Sequence, residues 1–140
     1  MKREAVLTTT ISENARHAFE EFRRSNARNA ALFLKVDPAT QVVDVDRPAT
    51  PCTVEQMRDL LPNTPRFVLY SYEWRHEDGR VQIPLCFIFF TPADANPRSA
   101  MVYTAAKTVV CDTFRLGKTY ELRDEETLTE RWLQQQLSRK

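Results

Sequence analysis

Apolar positions recur at two different periods along this chain, and the switch between them divides it into elements. From Ser12 to about Arg24 the period is helical, with Ala15, Ala18, Phe19 and Phe22 at i, i+3, i+4 and i+7. Ser12 suits the N-cap and Glu13 the first turn. Ala30 to Val36 then predicts a strand, Asp37-Pro38-Ala39-Thr40 a turn, and Gln41 to Asp46 a second strand with alternating Val43 and Val45. Arg47 to Pro51 predicts a proline-containing loop. Thr53 with Gln56 three residues on forms a capping box for a short helix ending near Leu61, closed by Pro62 and Pro65.

The longest patterned stretch runs from Pro65 to Phe90. Two β-rich arms, each about ten residues long, flank Glu77-Asp78-Gly79, and an Asp-Gly between such arms is a strong hairpin signal. The base is apolar on both faces, with Phe67, Val68, Leu69 and Tyr70 in one arm and Leu85, Cys86, Phe87, Ile88 and Phe89 in the other. Strands covered on both faces have this composition. The tip alternates Tyr72, Glu73, Trp74, Arg75 and His76, so it projects beyond the covering helices. Such a tip is either a contact surface or a long hairpin that covers only its own loop.

Asn96 at the N-cap and Pro97 at N1 open a helix expected to reach Phe114, with Gly117 as its left-handed stop. Val102, Ala106, Val109 and Thr113 are its predicted inner face. The opposite face carries Ala100, Thr104, Lys107, Thr108 and Cys111, with Lys107 as its one long charged side chain. Small side chains and a single ammonium suit close approach to another protein; a weakly polar solvated face is the other account. Lys118 to Leu122 predicts a short strand, parallel to a neighbour because a crossover helix precedes it. Asp124 is the expected cap of a last helix with Leu128, Trp132, Leu133 and Leu137 inward. The element order predicts an α/β (α+β) architecture: a mixed sheet of five or six strands with helices on both faces.

At 140 residues the expected organisation is one domain spanning residues 1–140. Net charge is +1, which supplies no drive towards nucleic acid or an anionic membrane. Two glycines, Gly79 and Gly117, are too few and too far apart for a phosphate-cradling loop. Cys52, Cys86 and Cys111 form no C-x-x-C pair, which favours a reducing compartment over a disulfide framework. Neither a leader-like apolar run behind Met1-Lys2-Arg3-Glu4 nor a membrane span is expected. His17 and His76 are the only histidines, with no metal-ligand spacing and no credible nucleophilic pair, since Cys86 belongs in the core and His76 at the tip. The residues therefore point to a non-catalytic interaction module without a cofactor or metal. The cluster Arg23, Arg24 and Arg28 fits the negative end of a helix dipole, or alternatively an anion-facing patch.

Three runs carry a family resemblance: Pro65-Arg66-Phe67-Val68-Leu69-Tyr70-Ser71-Tyr72, His76-Glu77-Asp78-Gly79-Arg80-Val81 and Pro84-Leu85-Cys86-Phe87-Ile88-Phe89. With Met101-Val102-Tyr103-Thr104-Ala105-Ala106-Lys107 and Leu128-Thr129-Glu130-Arg131-Trp132-Leu133, the chain closely resembles the glia maturation factor family. The resemblance implies the ADF-homology (cofilin-like) fold. It implies binding to the actin-related protein 2/3 complex, inhibition of branched nucleation and filament debranching, with no cofactor. It also implies a monomer in the cytoplasm on branched actin networks, with the nucleus as a further location, and weak binding to actin itself. The expected contacts are Met1, Lys2 and Arg3; Arg23 and Arg24; Tyr72, Trp74, Glu77, Asp78 and Arg80 at the tip; and Arg98, Met101, Lys107 and Thr108 on the long helix. The alternative is a cofilin-like protein that severs or depolymerises filaments. Two departures speak against it: Arg98 is followed by Ser99 and Ala100 where cofilins carry a second base, and residues 1–10 contain no serine.

Overall fold

In the computed structural model, which describes residues 8–139, Ser12 separates a short strand β1 (Thr10–Ile11) from helix α1 (Glu13–Arg24). Ser12 Oγ accepts the Ala15 N–H at 3.0 Å, and Ala15, Phe19 and Phe22 form the buried stripe that their spacing requires. Strand β2 (Ala30–Val36) leads into a turn in which Asp37 Oδ1 accepts the Ala39 and Thr40 N–H groups. Strand β3 (Val42–Pro51) is longer than the alternation predicts. The stretch Arg47 to Pro51, expected as a loop, stays extended and paired with β2 as far as Ala30 opposite Pro51. The parallel partner β1 covers only Val42 and Val43, so the rest of β3 is a free edge where proline forfeits little, and register shifts around Phe33 absorb the irregularity.

The capping box of helix α2 (Val54–Asp59) is complete: Thr53 Oγ1 accepts the Gln56 N–H, and Gln56 Oε1 accepts the Thr53 N–H. The long hairpin divides in two. Its base, β4 (Arg66–Ser71) and β7 (Leu85–Phe90), pairs inside the main sheet. Its tip, β5 (Trp74–Arg75) and β6 (Val81–Gln82), forms a separate two-stranded ribbon. Gly79 closes the ribbon at φ 92°, which a residue without Cβ reaches freely.

Helix α3 (Pro97–Phe114) starts on the Asn96 cap as expected, but its inner face is turned by one residue. Tyr103, Ala106, Val110 and Phe114 are buried, Val102 and Val109 lie at the margin, and Thr113 is exposed. Aromatic reach decides the phase: Phe114 stacks on Phe19 with centroids 4.0 Å apart, and the Tyr103 hydroxyl accepts the Val36 N–H at 2.9 Å. The left-handed residue that ends α3 is Arg115 (φ 55°), not Gly117. Leu116 then donates its N–H to Cys111 O and packs on the core, which stops the helix two residues earlier than a glycine cap would. Strand β8 (Thr119–Leu122) pairs parallel to β7. Asp124 caps only a 3₁₀ turn (Glu125–Thr127), and the last helix α4 (Glu130–Ser138) takes Thr129 as its own cap.

The six strands run in the order β1-β3-β2-β4-β7-β8, parallel in the two outermost pairs and antiparallel between. Side-chain alternation sends Leu32, Leu34, Phe67, Leu69, Phe87 and Phe89 under α1 and α3. It sends Ala31, Phe33, Val68, Tyr70, Cys86 and Ile88 under α2 and α4. Two helical layers explain why the central strands are apolar on both faces through residues 30–34, 67–70 and 85–90.

Candidate partner-binding surface

The outward side of α3 is a ridge of Met101, Thr104, Ala105, Thr108 and Asp112, all exposed and spaced at one helical face. Met101 is 72% exposed, the largest value for a big apolar side chain among the described residues. Arg98 is exposed at the start of the same helix. Lys107 does not stand free on this ridge. It is half-buried on the flank facing β8, with Nζ 3.3 Å from Glu121 Oε1 and 5.9 Å from the Phe89 ring centre. Cys111 lies on that flank too, its Sγ 3.4 Å from Thr119 Oγ1. Asp112, a ridge member, was missed because the helix phase is set by Tyr103 and Phe114 rather than by the valines.

The ribbon delivers most of the expected tip residues to the surface, with one correction. Tyr72 is only 2% exposed, a core side chain rather than a contact. Strand alternation turns it inward onto α4, where its hydroxyl donates to Glu130 Oε2 and accepts from Gln134 Nε2, each at 2.7 Å. Burial pushes the Tyr72 phenol well above its usual range. Trp74 is half-buried, packs against the α2/α4 side of the core, and stacks on His76 with centroids 4.2 Å apart. Glu77, Asp78 and Arg80 are exposed. The Arg80 backbone N–H and guanidinium both donate to Asp78, which holds that carboxyl below its ordinary value. Val81 and Ile83, exposed at 43% and 37%, add apolar area that the sequence reasoning left out. Their alternation at the start of the second arm was the available signal.

The root of the ribbon is clamped to the loop between α1 and β2. Arg28 Nη1 donates to Glu73 Oε2 at 2.7 Å, Arg75 Nε donates to Glu73 Oε1 at 3.2 Å, and Asn29 Oδ1 accepts the Glu73 N–H at 3.0 Å. The Arg28 hydrogen bond is the main reason the Glu73 carboxyl sits below its usual range. The basic cluster therefore divides by role. Arg28 serves the ribbon, Arg23 lies 5.2 Å over the Phe19 ring, and Arg24 is exposed on α1. Met1, Lys2 and Arg3 lie outside the described residues.

Reactive side chains are occupied elsewhere. Cys52 and Cys86 are buried; desolvation raises both thiols, that of Cys86 to about 12, far from a thiolate at neutral pH. His17 lies 3.1 Å from Glu21, and His76 2.6 Å from Gln82. Among the described residues no His, Cys, Asp and Glu group could hold a metal ion, and no helix is long and apolar enough to cross a membrane. A cleft of about 680 Å³ lies between the β2–β3 turn and the start of α3, lined by Lys35, Asp37, Asp44, Arg66, Ser99 and Tyr103 among others. Its Arg66 guanidinium is already paired with Asp46 at 2.9 Å.

A curled mixed sheet between two helical layers, with a small-residue helix ridge and a projecting ribbon, defines the cofilin-like ADF-homology class. Residues 8–138 match the family model described as cofilin/tropomyosin-type actin-binding protein. Human glia maturation factor beta is 36% identical over 136 residues, 96% of each chain. The glia maturation factor of Drosophila melanogaster is 38% identical over 129 residues, covering 91% of this chain and 94% of that one. The solution structure of the glia maturation factor from Caenorhabditis elegans superposes with a TM-score of 0.79 at 25% identity, over 95% of this chain and 99% of that one. The chain belongs to the glia maturation factor family.

Proposed function

We propose that this protein binds the actin-related protein 2/3 complex, inhibits branched actin nucleation and takes existing branches apart, by differential binding rather than covalent chemistry. The actin-regulatory class follows from the family. The observation that carries the reading is the α3 ridge: an exposed Met101 among Thr104, Ala105 and Thr108 lets a helix backbone approach an apolar cleft closely. The ribbon, with Trp74, Glu77, Asp78 and Arg80, gives a second contact of mixed charge, and Arg23 and Arg24 a basic one. Binding favours an arrangement of the complex that does not hold the daughter filament, and the ligand shifts that equilibrium by its difference in affinity for the two states. The working location is the cytoplasm, on branched networks, and the working form is a monomer.

Branched filaments imaged beside unbranched ones in the same field test this. Added protein shortens branch lifetime and leaves bare filaments intact. Fragmentation of unbranched filaments at the rate of branch loss would instead identify a cofilin-like severing protein.

A further inference from the structure

Resting on the debranching reading above, we infer that Tyr72 is a positioning residue: through α4 it fixes the aim of the projecting ribbon. The ribbon has only two residues in each strand, too few pairs to hold a direction by itself. Its direction must come from its root, where the structure provides two clamps. One is the α1–β2 loop acting on Glu73 through Arg28 and Asn29. The other is the Tyr72 hydroxyl, which sits between the Glu130 carboxylate and the Gln134 amide on successive turns of α4, at 2.7 Å from each. Tyr72 immediately precedes Glu73, and its own N–H donates to Pro84 O at 3.1 Å, so the hydroxyl braces both arms where the ribbon leaves the sheet. Trp74 continues the contact: it packs on the same side of the core as Trp132 and Leu137.

The two clamps grip from different elements and are chemically unlike. The Arg28–Glu73 pair is more than half solvent-exposed on the arginine side, so it yields easily to water and salt. The Tyr72 ring is buried and its hydroxyl meets a carboxylate and an amide, so this clamp is no ion pair for salt to screen, although Glu130 itself is exposed. Helix α4 thereby sets how the ribbon meets its partner.

The test is Tyr72→Phe, which keeps the ring in the core and removes only the hydroxyl. Hydrogen exchange of the His76 amide, which donates to Arg80 O across the ribbon at 2.8 Å, is followed in the wild-type and variant proteins. The expected rise is about tenfold, equivalent to about 1.4 kcal/mol, with the β4 and β7 amides unchanged. Glu130→Ala should raise it similarly, while Glu130→Gln, which keeps an acceptor oxygen, should stay near wild type. Affinity for purified actin-related protein 2/3 complex should fall several-fold in Tyr72→Phe. Unchanged His76 exchange in Tyr72→Phe overturns the inference, as does faster exchange with unaltered affinity. If the wild-type protein does not bind the complex, the debranching reading fails, and the exchange measurement still decides whether α4 holds the ribbon.

Discussion

At the scale of single residues, the chain was legible where a side chain serves the segment it sits in, and not where the same side chain reaches a second element. Ser12 is such a case. Its hydroxyl caps α1 by accepting the Ala15 N–H and donates to Asp44 Oδ1 at 2.8 Å. The cap could be read from Ser12-Glu13 ahead of a helical period; the bond to Asp44, on another element, could not. The Ser12 bond is the largest cause holding the Asp44 carboxyl below its ordinary value of 3.8, followed by the Val45 N–H. A carboxyl with a lowered folded-state pKa contributes stability that is present above its unfolded value and is lost as pH falls through the folded one. Ser12→Ala should therefore cost about 1–2 kcal/mol near pH 7, and the cost should shrink in acid, as pH falls through the lowered pKa of Asp44. Urea midpoints at neutral and acid pH check this; a cost that does not change with pH would mean that only the cap matters. Tyr72 marks where residue-level reasoning failed. A tyrosine in an alternating polar stretch suggests a surface, and only the path of the preceding strand shows that its inward phase continues one residue past the sheet.

Among the elements, helices α1 to α4 and the central strands were legible, while β1, the far half of β3 and several phases and ends were not. The inner face of α3 was assigned from its valines, but Tyr103 and Phe114 outreach them and rotate the helix by one position. The extension of β3 through Pro48 and Pro51 depends on β1 being too short to pair there, a property of the sheet and invisible in the segment itself. The end of α3 follows the same logic. Gly117 was the conformationally permissive residue, yet the chain turns at Arg115 because Leu116 then reaches the core. Arg115 thus holds φ 55°, ψ 51°, a region that crowds its Cβ against the following carbonyl. Arg115→Gly should relieve that crowding, in part offset by glycine's larger unfolded entropy, for a net gain of about 0.5–1 kcal/mol. Thermal unfolding should shift upward by about 2–4 °C. A fall would show that the arginine side chain anchors the turn.

For the molecule as a whole, both candidate surfaces are built on the same two strands. Strands β4 and β7 carry the ribbon at one end, and α3 packs across them through Tyr103, whose ring lies 5.3 Å from Phe67 and 6.4 Å from Phe89. Apart from half-buried Arg66 and Leu85 at their starts, their side chains are buried on both faces, so the platform is close-packed between ridge and ribbon. Two contacts on a rigid platform act on one partner as a single bivalent ligand, provided their spacing matches. Met101→Asp on the ridge and Arg80→Glu on the ribbon alter exposed positions, so each should change stability by no more than about 0.5 kcal/mol. If each contact contributes about 1.4 kcal/mol to holding the complex, each variant weakens binding about tenfold, and the double variant about a hundredfold. Binding to purified actin-related protein 2/3 complex, with unfolding midpoints measured on the same samples, gives both quantities. A double variant no weaker than Met101→Asp alone would leave the ridge as the docking surface and the ribbon as a bystander.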